Sequence, residues 1–447
     1  MAVGFPTKAN WVSGDILTAS QMDDLAGTLN TVPALITASG STNVAGKNAI
    51  LNSNFSVWQR YSTQVTGTIT AATSGATTAY TVANTFVVGQ YVTVTGMTPT
   101  TLNAAGVVTV ASGTAFTISA TTSGTFSVGG IATGSPYIAI AASTLTPTYS
   151  SDRWATQTGT SEATTISRQP TNDTTNLPNI QYCARFQRNA AQTGTAIYFL
   201  SQSIETLNAV SLAGKTVTVS YYARAGANYS AASGTLGTYV YTGTGTDQNV
   251  LSGYTGSATP INGSVATLTT TWQRFSFSAT LASTTTEAAV LFGFTPVGTA
   301  GANDYFEVTG VQLEIASTAT AYSPNGATQQ AELAACQRYL PAVSGNTLTI
   351  LGYAISTTGT YINYNFPVTA RVAPTGITTT ALSTFIVVNA AFASSPPTSL
   401  SFYSANPSAC SMSTTTGVGV PTLVQGQGTY LNSSSASSFI LFTGCEL

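Results

Sequence analysis

At 447 residues and 45.6 kDa the chain has room for about three domains, yet Lys+Arg 12 and Asp+Glu 14 make it only 6% charged, against roughly 25% in an ordinary soluble domain. It contains no histidine, which excludes Ser-His and Cys-His nucleophiles and His-ligated metals. A net charge of −2 and a pI of 5.1 supply no basic surface for nucleic acid.

Residues 1–48 read as a leader with one helix at 19–30: Thr18 and Gln21 fit a capping box, and Met22, Leu25 and Leu29 share a face before Pro33 stops it. So short a helix needs a surface to dock on, either its own body or a partner. From Ile50 the pattern turns strand-like. Residues 62–148 carry no charge and alternate cleanly through Tyr91-Val92-Thr93-Val94-Thr95 and Phe116-Thr117-Ile118-Ser119, which predicts a small β-module inserted into a loop of the next domain. Residues 149–323, together with 49–61, predict a two-sheet sandwich. Its strand candidates are 181–187, 195–200, 216–224, 237–241, 272–278, 288–294 and 305–313. A connector at 324–341 holds a helix at 327–340 with Leu333, Cys336 and Leu340 at 3-4 spacing, and Pro341 ends it. Residues 342–447 predict a last β-domain with strands at 347–355, 361–368 and 439–442; its charged residues are Arg371 and Glu446.

The apolar residues are scattered among Thr, Ser, Gly and Ala, and no run approaches the roughly 18 needed for a spanning helix. The opening MAVGFPTKANWVSGD has no apolar segment of a secretory leader, so a soluble chain without membrane insertion is expected. Cys183, Cys336, Cys410 and Cys445 contain no C-x-x-C pair. Buried thiols are the first expectation and a Cys410–Cys445 bridge the alternative. Sparse charge also removes the usual guard against strand-edge pairing and predicts a closed oligomer.

Several strings resemble a known family. Trp11 with Gly14-Asp15-Ile16-Leu17-Thr18-Ala19 resembles the start of many tailed-bacteriophage fibre proteins. Ile50-Leu51-Asn52-Ser53-Asn54-Phe55-Ser56-Val57-Trp58-Gln59-Arg60, then Ser151-Asp152-Arg153-Trp154, is similar to the opening of their carbohydrate-binding-module-like sandwich. Val308-Thr309-Gly310-Val311-Gln312-Leu313-Glu314 resembles its closing strand, 332–339 the helix behind it, and 366–377 with Cys445-Glu446-Leu447 the distal domain. The resemblance implies an all-β fold: a jelly-roll-type β-sandwich with an inserted small β-module and a C-terminal β-domain, short helices at the N-terminus and as a connector, assembled as a trimeric fibre. It implies a non-enzymatic, structural virion protein located on the phage particle. Its N-terminus meets other virion proteins, and its C-terminal receptor-binding domain meets a host cell-surface glycan. A capsid-bound head fibre or decoration protein without a receptor role is the alternative, and a tailspike depolymerase a third. Such sandwiches often hold a structural Ca²⁺ near an Asp of the closing strand. Here that stretch reads Thr309-Gly310, so no metal and no cofactor is expected.

Among candidate site residues, Tyr353, Tyr361, Tyr364, Tyr403 and Tyr430 stand in a Ser/Thr/Asn-rich, nearly uncharged setting suited to neutral sugars, with filling of a trimer core as the other reading. Trp58, Arg60, Asp152, Arg153 and Trp154 read as structural core and ion-pair residues rather than sugar platforms. Asp304, Glu307 and Glu314 come nearest to a glycosidase carboxylate pair, but strand alternation separates Asp304 from Glu307. No catalytic residue is expected.

Overall fold

The computed structural model describes residues 46–60, 64–140, 147–158, 163–345, 348–417, 422–435 and 438–447. The helix expected at 19–30 lies outside the described residues. Nearly all regular structure is antiparallel β-sheet, gathered into three units with separate cores.

The central unit is a sandwich of two six-stranded sheets. In spatial order the first runs Ala258–Thr267, Thr235–Gly243, Glu287–Phe294, Tyr198–Ile204, Ala155–Thr158, Thr148–Tyr149. The second runs Gln273–Thr280, Thr216–Ala225, Tyr305–Ile315, Tyr182–Arg188, Thr164–Pro170, Tyr137–Ile140. Between them lie Trp154, Phe186, Tyr198, Tyr221, Phe292, Phe294 and Phe306, all essentially inaccessible to solvent. Phe186 stacks on Phe306 at 5.5 Å, and Tyr221 meets Phe292 edge-on at 4.7 Å. Period-2 alternation is plain in Gln273–Thr280, whose outer side chains face solvent. Glu287–Phe294 has no such alternation. It is buried on both faces, because the loop carrying Val250 and Tyr254 covers its outer side.

The strings noted in the sequence meet at one corner of this sandwich. Asn48 Nδ2 donates to the carbonyl of Val311 at 2.8 Å, and its Oδ1 accepts from Ile50 and Leu313. Asn52 (φ 48°) brackets the turn: its side chain donates to Val57 and Asp152 carbonyls and accepts from the Val57 amide. The helix Gln329–Gln337, capped by Thr328, joins the same corner through Glu332, which accepts from the amides of Asn52 and Gly326.

The inserted unit is a seven-stranded sheet curled around Tyr80, Val92, Phe116 and Ile118. Its order is Gln64–Val65, Ile131–Gly134, Tyr91–Thr95, Ala104–Ala111, Ala115–Ile118, Thr78–Thr81, Ala71–Thr73. Its own strands close at Gly134 rather than running to 148 as composition suggests. Tyr137–Ile140 pairs with Thr164–Pro170 and Thr148–Tyr149 with Ala155–Thr158, so both belong to the sandwich. Charge is a poor boundary marker here, since an edge strand needs no charged residue to pair. The unit is seated on the sandwich at Gly89, whose carbonyl accepts from Ser167 Oγ and Gln169 Nε2.

The C-terminal unit packs a three-stranded sheet (Ala342–Ser344, Phe439–Thr443, Gly376–Thr379) against a seven-stranded one. The latter runs Ser394–Ser395, Phe385–Val388, Gly428–Ser433, Thr349–Ala354, Gly359–Asn365, Ala409–Thr416, Pro397–Asn406. Ile350, Ile362, Phe385, Met412, Leu431 and Phe442 fill the space between. Ion pairs tie this unit to the sandwich: Arg60 with Glu446, Arg371 with Asp247 at 3.0 Å, and Arg338 with Glu205 at 2.6 Å. Arg371 also donates to the carbonyls of Cys445 and Glu446 at 2.8 Å, and Asn249 donates to that of Leu447.

Candidate functional site: uncharged aromatic sheet faces

The seven-stranded sheet of the C-terminal unit turns one face inward and leaves the other open. Ile350, Ala354, Ile362, Cys410, Met412 and Leu431 point into the core, so the alternate positions Leu351, Tyr353, Tyr361, Asn363, Ser413 and Tyr430 share the outer face. Register then decides which side chains meet. Tyr353 lies directly opposite Tyr361, and Leu351 opposite Tyr430. Tyr361 lies opposite Ser413, which in turn lies opposite Ser401. The small serine on the intervening strand lets the Tyr403 ring, displaced by a bulge between Phe402 and Ser404, reach across to Tyr361.

The result is a strip of three tyrosines over four strands. Tyr353 and Tyr361 meet edge-on with ring centroids 6.0 Å apart, and Tyr361 and Tyr403 are 4.7 Å apart with a 40° tilt. Tyr353 is 46% and Tyr403 59% exposed, so the ring faces are open to a ligand. The adjoining Tyr403 phenol, 4.7 Å away ring to ring, raises the Tyr361 pKa from its ordinary value, and Tyr353 acts the same way. Around the strip run neutral hydroxyls and amides: Ser411 donates to Asn363 Oδ1 at 2.5 Å, and Thr398 and Ser399 share hydrogen bonds with Thr415. The unit's two charged residues are committed to the sandwich junction, leaving this face without charge.

Of the five tyrosines singled out in the sequence, Tyr353, Tyr361 and Tyr403 come together, and Tyr430 lies on the same face beside Leu351. Tyr364 does not join them. It occupies an inward position and stacks on Phe442 at 5.4 Å with parallel rings. Alternation along 361–364 puts Tyr361 and Tyr364 on opposite faces, a consequence of spacing by three rather than two.

The structural residues sit at the sandwich corner. Trp58 donates to the carbonyl of Phe55 at 2.8 Å, and Trp154, fully buried, donates to that of Asn52 at 3.1 Å and packs on Phe55. Asp152 accepts from the Gln59 amide and side chain, at 2.6 and 2.9 Å. Arg153 (φ 72°) donates to the Ser203 carbonyl and lies 3.7 Å from the Tyr339 ring centroid. Arg60 pairs with Glu446 and stands 5.0 Å from the Tyr149 ring.

The three carboxylates nearest to a catalytic pattern are each clamped. Asp304 accepts from Arg188 at 2.8 Å and from Ser230, Glu307 from Arg185 and Arg224, and Glu314 from Thr320 and Gln312 with Lys47 at 3.5 Å. At the closing-strand stretch, Thr309 donates its hydroxyl to the Tyr182 carbonyl, and Gly310 has a φ of 57°.

A second uncharged aromatic face, not singled out in the sequence, lies on the first sandwich sheet. Phe199 and Tyr239 meet edge-on at 6.3 Å, and Tyr241 follows Tyr239 at 6.1 Å. Gly237 and Gly293 flank the Tyr239 ring so closely that a Cβ on either would lie 3.0 or 2.9 Å from Tyr239 Cε2. Together with Gly263 they leave a hollow of 210 Å³ beside the ring. The signal was present as alternating Gly/Tyr in 237–241, but one strand's pattern does not reveal that Gly263 and Gly293 line up with it across the sheet.

These features define a multidomain β-sandwich protein with open, neutral aromatic faces. No family model matches the chain, and no curated protein matches it. Among solved structures it is similar to the CBM22-1 xylan-binding domain of Paenibacillus barcinonensis Xyn10C (12% identity, TM-score 0.26, 40% of this chain and 98% of that one). It is also similar to a CBM61 module in complex with β-1,4-galactotriose (13%, TM-score 0.24, 36% and 88%). A third likeness is to the enzymatically active domain of bacteriophage CBA120 tailspike protein 4 (10%, TM-score 0.24), where the match covers 37% of this chain and 19% of that one. At TM-scores this low the sandwich assignment rests on its own strand order and registers.

Proposed function

We propose that this chain is a structural fibre protein of a tailed phage, acting as a homotrimer on the virion, and that its C-terminal unit captures a neutral glycan of the host surface. The observation that carries the reading is the Tyr353–Tyr361–Tyr403 strip on a face with no charge. Tyrosine rings pack against the apolar faces of sugars while hydroxyls and amides satisfy sugar hydroxyls, and adjacent strands about 4.8 Å apart place those groups at the spacing of one ring. Binding is weak per site and gains from three copies acting together. In this reading the protein does no chemistry of its own, and residues before Gly46 meet other virion proteins.

The test is competition of phage adsorption by the full-length protein and by its Tyr361→Ala/Tyr403→Ala variant, paired with light scattering for the oligomeric state. The parent should block adsorption as a trimer, with little change between low and high salt, and the variant should block poorly while remaining trimeric. A monomer of 45.6 kDa, or a variant that blocks as well as the parent, overturns the reading. The hollow beside Tyr239 supports a second reading, in which the sandwich holds the sugar. Tyr239→Ala rather than Tyr361→Ala would then abolish blocking.

A further inference from the structure

On the outer side of the second sandwich sheet lies a cleft of 460 Å³, bounded by Asn176, Asn179, Ile180, Tyr222, Arg274 and Tyr322. Its floor is apolar, lined by Leu177, Ile180, Tyr222 and Tyr322, which belong to a small cluster with the buried Trp272. Its rim is polar. Arg274 is exposed, stands directly opposite Tyr222 on the neighbouring strand, and holds its guanidinium 5.6 Å from that ring. One end of the guanidinium is anchored: Nη2 donates to Ser220 Oγ at 3.1 Å and to the Thr320 carbonyl. Nε and Nη1 meet no acceptor among the described residues.

Most of the described cations are committed to carboxylates. Lys47, Arg60, Arg185, Arg188, Arg224, Arg338 and Arg371 each meet a carboxylate. Arg274 meets none among the described residues, although it is fixed in place at the mouth of a cleft. Asp173, on the adjoining loop, has both oxygens occupied by the amides of Thr175 and Asn176 and by the Asn176 side chain. A cleft of a few hundred Å³ with an apolar floor and a few convergent polar groups has the form of a small-ligand site. With both Nη2 hydrogens engaged, neither two-nitrogen fork is open, and the anchored guanidinium offers a carboxylate its charge and a single charge-assisted hydrogen bond from Nη1.

We propose that this cleft binds a carboxylate-bearing sugar, with the ring over the Ile180–Tyr222–Tyr322 floor, the carboxylate on Arg274, and ring hydroxyls on the Asn176 and Asn179 side chains. The site is in a different unit from the Tyr353–Tyr361–Tyr403 strip and has the opposite salt dependence, so either can fail without the other.

Calorimetric titration of the full chain with trigalacturonic acid, with its methyl ester, and with N-acetylneuraminic acid tests the proposal and separates uronic from nonulosonic sources. At least one acid should bind, about tenfold more tightly than the uncharged ester in the first case, and high salt should weaken it. Arg274→Gln should lose about tenfold, and Arg274→Lys, which keeps the charge without the anchoring to Ser220 and Thr320, should recover only part. Asn179→Ala removes a side chain with no hydrogen bond to another described residue, so it serves even where the Arg274 variants fold poorly. Equal affinity for acid and ester, parental binding by Arg274→Gln and Asn179→Ala, or no binding of either acid at millimolar concentration overturns the proposal.

Discussion

Arg188 shows how a chain with so few charges uses each one. It is fully buried, pairs with Asp304 at 2.8 Å, and donates from Nη1 and Nη2 to Ser230 Oγ and to the carbonyls of Gln192, Gly194 and Gly298. Asp304 also accepts from the Ser230 amide. Removing Asp304 takes away the carboxylate that Arg188 meets at 2.8 Å inside the core, and breaking such a buried pair costs about 3–5 kcal/mol. Asp304→Ala should lower stability by that amount in guanidinium unfolding, whereas Arg274→Gln, at an exposed site, should change it by well under 1 kcal/mol. Equal effects of the two would refute the distinction between structural and displayed arginines. The thiols make a related point. All four are free and buried, and burial raises the Cys410 and Cys445 pKa values to about 12 and about 11. Native protein should therefore resist a thiol reagent that labels all four cysteines after unfolding, and reductant should leave Tm unchanged.

At the scale of elements, the helix Gln329–Gln337 and residues 445–447 carry the junction between the sandwich and the C-terminal unit. Burial pushes the Glu205 carboxyl up, but hydrogen bonds from Arg338 and Tyr339 outweigh it and hold the pKa below the usual value. Glu314 behaves likewise through Thr320, Gln312 and Lys47. A carboxyl with a depressed pKa binds its proton less readily folded than unfolded. Its contribution is therefore full above the unfolded value of about 4.3 and is lost as pH falls through the folded one. Thermal unfolding from pH 7 to pH 3 should show a steeper acid loss for the parent than for Glu205→Gln. Parallel curves would mean that Glu205 contributes nothing to the acid limb.

For the whole molecule, the inserted unit is a testable boundary. Excising 64–134 and bridging with a short Gly-Ser linker removes a unit with its own core and leaves both sandwich sheets complete, so soluble protein with a similar Tm should result. Excising 62–148 also strips the edge strand Tyr137–Ile140 and leaves only Tyr149 of the edge strand Thr148–Tyr149. That version should aggregate, because it bares Thr164–Pro170, a strand otherwise paired on both sides. Indistinguishable behaviour of the two deletions in size-exclusion chromatography would show that the edge strands are dispensable.

Composition and period-2 alternation were enough to determine the β class and many of the strands, because each strand's inner positions must be apolar whatever it pairs with. Strands such as Ala258–Thr267 escaped notice, since a Gly/Ser/Thr-rich segment at a sheet edge carries little hydrophobic signal. The same local logic separates Tyr361 from Tyr364, yet it could not bring Tyr353, Tyr361 and Tyr403 together. That required the registers across four strands, a bulge at Tyr403 and a serine small enough to be bridged. The cleft at Arg274 was less legible still, because its walls come from 176–180, 222, 274 and 322, and only the tertiary structure shows that Arg274 stands at its mouth and meets no carboxylate among the described residues. Local sequence decides which face of a strand is wet. Which side chains meet on that face is decided by long-range pairing, whose register is set by the packing of the whole sheet.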